Sequence, residues 1–265
     1  MHRLLTGRWV AFTLVVLALA GVFVQLGRWQ LHRLDEREQR NAVTRANLAA
    51  APAPVDEALG PDRRVARDNE WRSVRVTGRY DAQHQIVARY RNVKDRPGFE
   101  IVTPLLLEDG TAILVDRGFV PRATNSSDLP AVPEPVAGTV SVTGKLRHSE
   151  HGADNATRPV NGQVRLINAP AIAASTGLRL PDGYMTVDEQ IPAPGAGLSG
   201  LPLPELDSGP HFFYALQWFF FALLALGGLV YFAREDVRGG RTEGDTADRE
   251  LRADRGHADR GAGLG

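Results

Sequence analysis

The sequence predicts an α+β membrane protein, with two transmembrane helices flanking a mostly antiparallel β extracytoplasmic domain. Three observations carry this. Trp9 to Leu26 (WVAFTLVVLALAGVFVQL) runs 18 residues without a charge, about 27 Å of helix against the ~30 Å of a bilayer core. Phe212 to Phe232 (FFYALQWFFFALLALGGLVYF) runs 21 uncharged residues, about 32 Å on the same arithmetic. Between them, from Trp71 onward, the apolar period shortens to two, the spacing of a half-buried strand.

Each element follows from local chemistry. Residues 1–8 form a short cytoplasmic N-terminus and residues 9–27 the first transmembrane helix, bracketed by Trp9 and Trp29 as interfacial anchors. A cleaved signal peptide is the alternative, because Ala18-Leu19-Ala20 follows Arg3 and Arg8 as a cleavage site would. The apolar run continues past Ala20 to Leu26, which favours a retained helix. Leu31 to Leu48 is polar, lacks Gly and Pro, and extends the helix. Residues 49–61 (AAPAPVDEALGP after Ala49) read as a linker.

The β-rich core is expected over residues 71–190. Val74-Arg75-Val76-Thr77 alternates, as does Ile86 to Tyr90 less strictly. Glu100 to Leu107 and Ala112 to Arg117 are joined through Glu108-Asp109-Gly110, and Asp-Gly marks a hairpin. Thr139 to Leu146 alternates around Val140 and Val142; Val164 to Ile167, a helix over Pro170 to Thr176, and a strand over Tyr184 to Val187 follow. Closely spaced strands without a βαβ rhythm predict a sheet or small barrel. Residues 191–210 form a Pro/Gly connector, 211–232 the second transmembrane helix, and 233–265 a cytoplasmic tail of Arg, Asp, Glu and Gly that should be disordered.

Orientation comes from the second helix. No Lys or Arg lies between Arg179 and its start, whereas Arg234, Arg238 and Arg241 follow its end, which puts that end in the cytoplasm. Two spans bring the N-terminus to the same side and leave residues 28–210 outside. Arg28, Arg33, Arg37 and Arg40 after the first helix pull the other way, but are interleaved with Asp35, Glu36 and Glu38.

Composition excludes several chemistries. The chain has 265 residues, 31 Lys+Arg against 31 Asp+Glu, and 43% hydrophobic residues. That balance removes the bulk electrostatic case for nucleic acid. With no cysteine there is no disulfide, no thiolate zinc site, no Cys-x-x-Cys-His heme attachment and no cysteine nucleophile. The only methionines, Met1 and Met185, leave no thioether copper cluster. Gly195 to Gly200 fits G-x-G-x-x-G literally, but it lies among prolines and opens no helix. His148, His151 and Asp154 read as an ordinary polar loop rather than a metal trio, and nothing nominates an acid–base carboxylate pair.

One constellation remains. Gly209-Pro210-His211 opens the second helix, and His211, Tyr214 and Trp218 share a stripe about 10 Å long. An imidazole at a membrane surface above a flat aromatic stripe suits an amphiphilic porphyrin, with Arg28 or Arg33 available to its propionates. The structural alternative is that all three are interfacial anchors.

Three stretches resemble one family. Leu26-Gly27-Arg28-Trp29-Gln30-Leu31-His32-Arg33-Leu34 is similar to an L-G-x-W-Q-x-x-R-x motif, and Gly98 to Pro121 (GFEIVTPLLLEDGTAILVDRGFVP) to a G-x-x-V-x-T-P-L, L-V-x-R-G-W-V-P block, with Phe119 in place of the Trp. His211 to Phe219 (HFFYALQWF) resembles an H-x-x-Y-A-x-Q-W-F helix opening. In this order, with this two-helix layout, they resemble the surfeit locus protein 1 family of cytochrome c oxidase assembly proteins. The resemblance implies a multi-pass cell-membrane protein, not an enzyme, that assists maturation of the largest oxidase subunit by handling heme a on its way from heme A synthase. It also implies that His211 and Trp218 are the heme-binding residues, His211 as the ligand to the metal. For Arg117-Gly118 a strand end is the preferred reading. The alternatives are a heme-independent scaffold for that subunit, an extracytoplasmic ligand sensor, and an extracytoplasmic enzyme.

Overall fold

The computed structural model describes residues 6–122 and 131–261, the last part (239–261) by its backbone alone. The chain divides into a helical unit, Met1–Gln39 with Ser208–Gly265, and a β unit, Arg40–Asp207.

In the helical unit, α1 (Gly7–Ala49) and α5 (His211–Gly261) are both long and apolar enough to cross a membrane. Their apolar side chains are left largely outward: Leu14 is 62% exposed, Phe213 72% and Leu223 68%. The residues that are buried are small. Ala20 on α1, with Ala215 and Ala222 on α5, are nearly inaccessible, and a Cβ added at Gly27 would stand 2.7 Å from Cε1 of Phe219. Small residues on facing stripes let two helix backbones approach without a hydrophobic driving force. The backbone of α5 stays helical to Gly261, where the sequence reading expects disorder beyond residue 233; the stretch has no proline to break the helix, and arginine, its commonest residue, is a good helix former.

The β unit contains β1 (Ala53–Pro54), α2 (Val55–Ala58), β2 (Ser73–Tyr80), β3 (Ile86–Val93), β4 (Arg96–Leu106), β5 (Ala112–Pro121), β6 (Thr139–Arg147), α3 (Asp154–Thr157), β7 (Gln163–Val164), α4 (Ala169–Thr176) and β8 (Tyr184–Ile191). The strand order is β1-β2-β6-β8-β5-β4-β3-β7, and β2 also pairs β4 through Arg79↔Leu106 and Tyr80↔Leu105. That pairing closes β2, β6, β8, β5 and β4 into a barrel. Most neighbours are antiparallel, but β1–β2, β3–β7 and β5–β8 run parallel. Hairpin signals report only strands adjacent in sequence, so the long-range parallel insertion of β8 beside β5 has no local signature.

Alternation sorts the side chains. Val74, Val76, Leu105, Ile113, Val115, Val140, Val142 and Met185 form one buried cluster, while Leu114 and Tyr184, one residue out of phase, join Ile86, Val102, Ile167 and Ile172 in another. Helix α4 covers this second cluster. Its start is set by Asn168, whose Oδ1 accepts the Ala171 N–H at 2.9 Å, and its end by Gly177 at φ +74. The stretch read as a linker is packed instead: Val55 and Ala58 are buried in the first cluster. Their Ala-Pro flanks carry the compositional signal of a linker, but two apolar side chains spaced by three make a one-turn plug. Two residues of the Pro/Gly connector are likewise engaged, Leu198 against Val87, Phe99 and Ile101, and Ser199 in a bridge to Phe119.

Candidate functional site

His211 is the first residue of α5, after Gly209 (φ +65) and Pro210; the Pro210 carbonyl accepts the Tyr214 N–H at 3.1 Å as the helix starts. The His211 side chain is half-buried, and its Nδ1 stands 2.9 Å from Oε1 of Gln30 on α1. Gln30 belongs to the first family-like motif, yet the sequence offers no reason to assign it a role, because only the fold reveals its partner 181 residues away.

Trp218 lies two turns further along α5, about 10 Å from His211. Its ring is stacked on Phe23 (centroids 5.8 Å apart, 24° between planes) and meets the edge of Phe221 at 5.8 Å. Trp218 is thus a packing residue of the α1–α5 contact, whatever else it does. Tyr214, the third member of the stripe, is 48% exposed. Of the two candidate propionate partners, Arg33 is engaged with Glu36 at 2.9 Å and sits over the Trp29 ring at 5.7 Å; no partner is described for Arg28.

The donor set would offer one imidazole, that of His211, to a porphyrin iron. One imidazole nitrogen is held, and among the described residues the other, Nε2, has no hydrogen-bond partner. No group of three or more His, Asp or Glu is arranged to hold a metal ion among the described residues. In the loop of His148, His151 and Asp154, His148 Nε2 instead stands 4.0 Å from Glu70 Oε2.

Sequence reasoning missed a buried charge cluster in the β unit. Arg91 of β3 binds Glu150 through two hydrogen bonds, at 3.0 and 2.8 Å, and its Nε lies 2.8 Å from Oε2 of Glu100. Glu150 Oε2 also accepts the Ile167 N–H at 2.7 Å. Asp116, 1% exposed, accepts the Gly118 N–H at 3.1 Å. Burial, reinforced by the negative charge of Glu100, holds the Asp116 carboxyl well above the ordinary carboxylate range. Burial also raises Glu100, against the opposing pull of Arg91. The Tyr184 and Tyr80 hydroxyls are pushed up by burial, Tyr80 to about 12. No short motif marks this cluster: its carboxylates come from β4, β5 and the loop after β6, and each looks like an ordinary solvated residue in isolation.

Arg117 is not a strand end. It lies within β5, 7% exposed, and donates to Gln85 Oε1 (2.8 Å), to the Pro133 carbonyl (3.0 Å) and to the Glu134 carbonyl (3.0 Å). It clamps the segment entering β6 onto the barrel, and burial lowers its pKa.

Comparison with known proteins places these features in context. The chain matches the SURF1 family over residues 17–223. It is 37% identical over 244 residues to an uncharacterized SURF1-like protein of Mycobacterium tuberculosis, covering 91% of this chain and 89% of that one. It is 26% identical to the mouse surfeit locus protein 1 over 211 residues (73% of this chain, 66% of that one). It is also 26% identical to the cytochrome oxidase assembly protein SHY1 of Saccharomyces cerevisiae over 107 residues (40% and 27%).

Proposed function

The chain belongs to the SURF1 family, and from that premise we propose that it is a membrane-anchored assembly factor for cytochrome c oxidase. It holds heme a transiently through His211 and assists its insertion into the largest oxidase subunit. The family includes a protein named for cytochrome oxidase assembly, which supports the oxidase as partner. Two helices of membrane-crossing length, with apolar faces turned outward, support the anchoring. The arginines after the second helix support a cell-membrane location with both termini cytoplasmic and the β unit outside. Heme A synthase is the proposed source of the heme.

The observation that carries the heme reading is the His211 imidazole, anchored through one nitrogen with the other unengaged. When bound, the iron supplies an exchangeable coordination position; the protein's own part is to hold and aim one imidazole. The test is the absorption spectrum of detergent-purified protein co-expressed with a heme a pathway. A heme a spectrum that is lost in His211→Ala supports the carrier. Wild type that purifies without heme, or a variant that retains it fully, rejects it.

A second reading keeps the family and drops the cofactor: a scaffold that steadies the oxidase subunit. The engagement of Trp218 with Phe23 and Phe221 favours it, because a ring committed to helix packing needs no heme to explain it. Under either reading the chain is not an enzyme.

A further inference from the structure

We propose that Gln30 is the positioning residue for His211, fixing its tautomer and the orientation of its ring. An amide oxygen only accepts hydrogen bonds, so the 2.9 Å contact from Gln30 Oε1 requires the proton on Nδ1 of His211. The lone pair is then confined to Nε2. A solvated imidazole favours the opposite tautomer, with the proton on Nε2, which cannot ligate through that atom. The contact therefore converts His211 from a mixture into one ligating form.

The helices are built to keep the pair in register. Ala20, Phe23, Gly27 and Gln30 are spaced by three and four on α1, as are His211, Ala215, Trp218 and Ala222 on α5, so each set lies on one stripe. The Phe23–Trp218 stack and the Gly27–Phe219 close approach fix the separation of the two stripes. Gln30, three residues beyond Gly27, then meets His211 at the end of the contact. Between half-buried partners the hydrogen bond is screened little by water.

The acceptor is also chemically specific. Histidine ligands commonly donate their second N–H to a carboxylate, a backbone carbonyl or water, and a carboxylate raises the basicity of the ligand. Gln30 supplies a neutral amide instead. It orients the ring without adding charge, which suits a ligand that must release its cargo. Gln30's part in ligation rests on the reading of His211 as a ligand given above; its effect on the tautomer does not.

The experiment uses the full-length protein in dodecyl maltoside micelles with 15N-labelled histidine. His211→Asn identifies the His211 resonances by their loss. Wild type, Gln30→Leu and Gln30→Glu are compared for the imidazole tautomer by NMR and for binding of ferric iron protoporphyrin. The expected result is Nδ1–H in wild type and Gln30→Glu, and loss of that preference in Gln30→Leu. Porphyrin affinity should fall about tenfold or more in Gln30→Leu, and be kept or tightened in Gln30→Glu, with a lower reduction potential. An Nε2–H tautomer in wild type, or an Nδ1–H tautomer that persists in Gln30→Leu, overturns the assignment. Equal porphyrin affinity in wild type and Gln30→Leu overturns Gln30's part in ligation and leaves the carrier reading intact. If the tautomer responds as expected but wild type binds no porphyrin, Gln30 keeps its positioning role and the carrier reading falls.

Discussion

Arg91 and Glu150 meet as two planar forks, Nη1 to Oε1 at 3.0 Å and Nη2 to Oε2 at 2.8 Å, while the Nε of the same arginine lies 2.8 Å from Glu100. One guanidinium thus balances two carboxylates, with the buried Asp116 beside them. Removing the cation leaves the acids with little compensation. Arg91→Met is expected to cost about 3–5 kcal/mol of β-unit stability, read from urea unfolding of the full chain. Arg91→Lys should recover only part of it, since an ammonium cannot form the fork. A cost below about 1 kcal/mol, the range of an exposed pair, would show that the cluster is solvated.

The raised Asp116 carboxyl makes a signed pH prediction. Its folded pKa lies above the unfolded value, which is about 3.9. As pH rises from there, the unfolded chain releases a proton that the native state keeps, so this group's contribution to stability falls until the folded pKa is passed. Glu100, raised by the same burial, acts in the same direction; Arg91 and Arg147 oppose both. Asp116→Asn removes the titration. Its stability relative to wild type should improve as pH rises above about 4 in urea unfolding, and parallel profiles would refute this.

Gly118 is required by space as well as by conformation. It sits at φ +131, and a Cβ there would stand 2.6 Å from the Ser199 carbonyl oxygen. That oxygen accepts the Phe119 N–H at 2.8 Å, and the Ser199 N–H returns to the Phe119 carbonyl at 2.9 Å. Gly118→Ala should cost about 2–4 kcal/mol and free the Leu198–Gly200 segment for proteolysis. Gly138→Ala is the control: its φ is +84, but nothing lies within 4 Å, so it should cost about 1 kcal/mol.

Trp218 acts through Phe23 in the packing reading. Phe23→Ala and Trp218→Ala should then loosen the helical unit alike. The double variant should cost about 1 kcal/mol less than the sum of the two, measured by thermal unfolding in detergent. If Trp218→Ala abolishes porphyrin binding while Phe23→Ala leaves it untouched, the indole contacts the porphyrin directly.

The legibility of the fold follows the range of its interactions. The Val74-Arg75-Val76-Thr77 alternation predicts β2, and the buried pair Val74 and Val76 faces the barrel core as period two requires. Asp109-Gly110 predicts the β4–β5 connection, and Leu106 does pair Ala112 across it. Both are local signals. The β3–β4 hairpin escapes notice because its turn, Lys94-Asp95, reaches positive φ without the usual glycine. Val55 and Ala58 were hidden by the prolines around them, and Glu100, Asp116 and Glu150 by their separation along the chain. At the candidate site, His211 is legible from its place at a helix start, whereas Gln30 is not, since a polar residue just past an apolar run looks like any interfacial residue until its neighbour is known.

The position of β8 bears on incomplete chains. It pairs β6 through Ser141 to Arg147 and β5 through Leu114 to Asp116, joining two strands that lie well before it in the chain. A polypeptide ending before Tyr184 cannot seal the ring. Its β5 and β6 would both present unpaired N–H and C=O groups, and Ile113, Val115 and Val142 would lose the cover of Met185. Premature termination upstream of β8 should therefore yield an adhesive product cleared by quality control, and not a shortened domain with partial function.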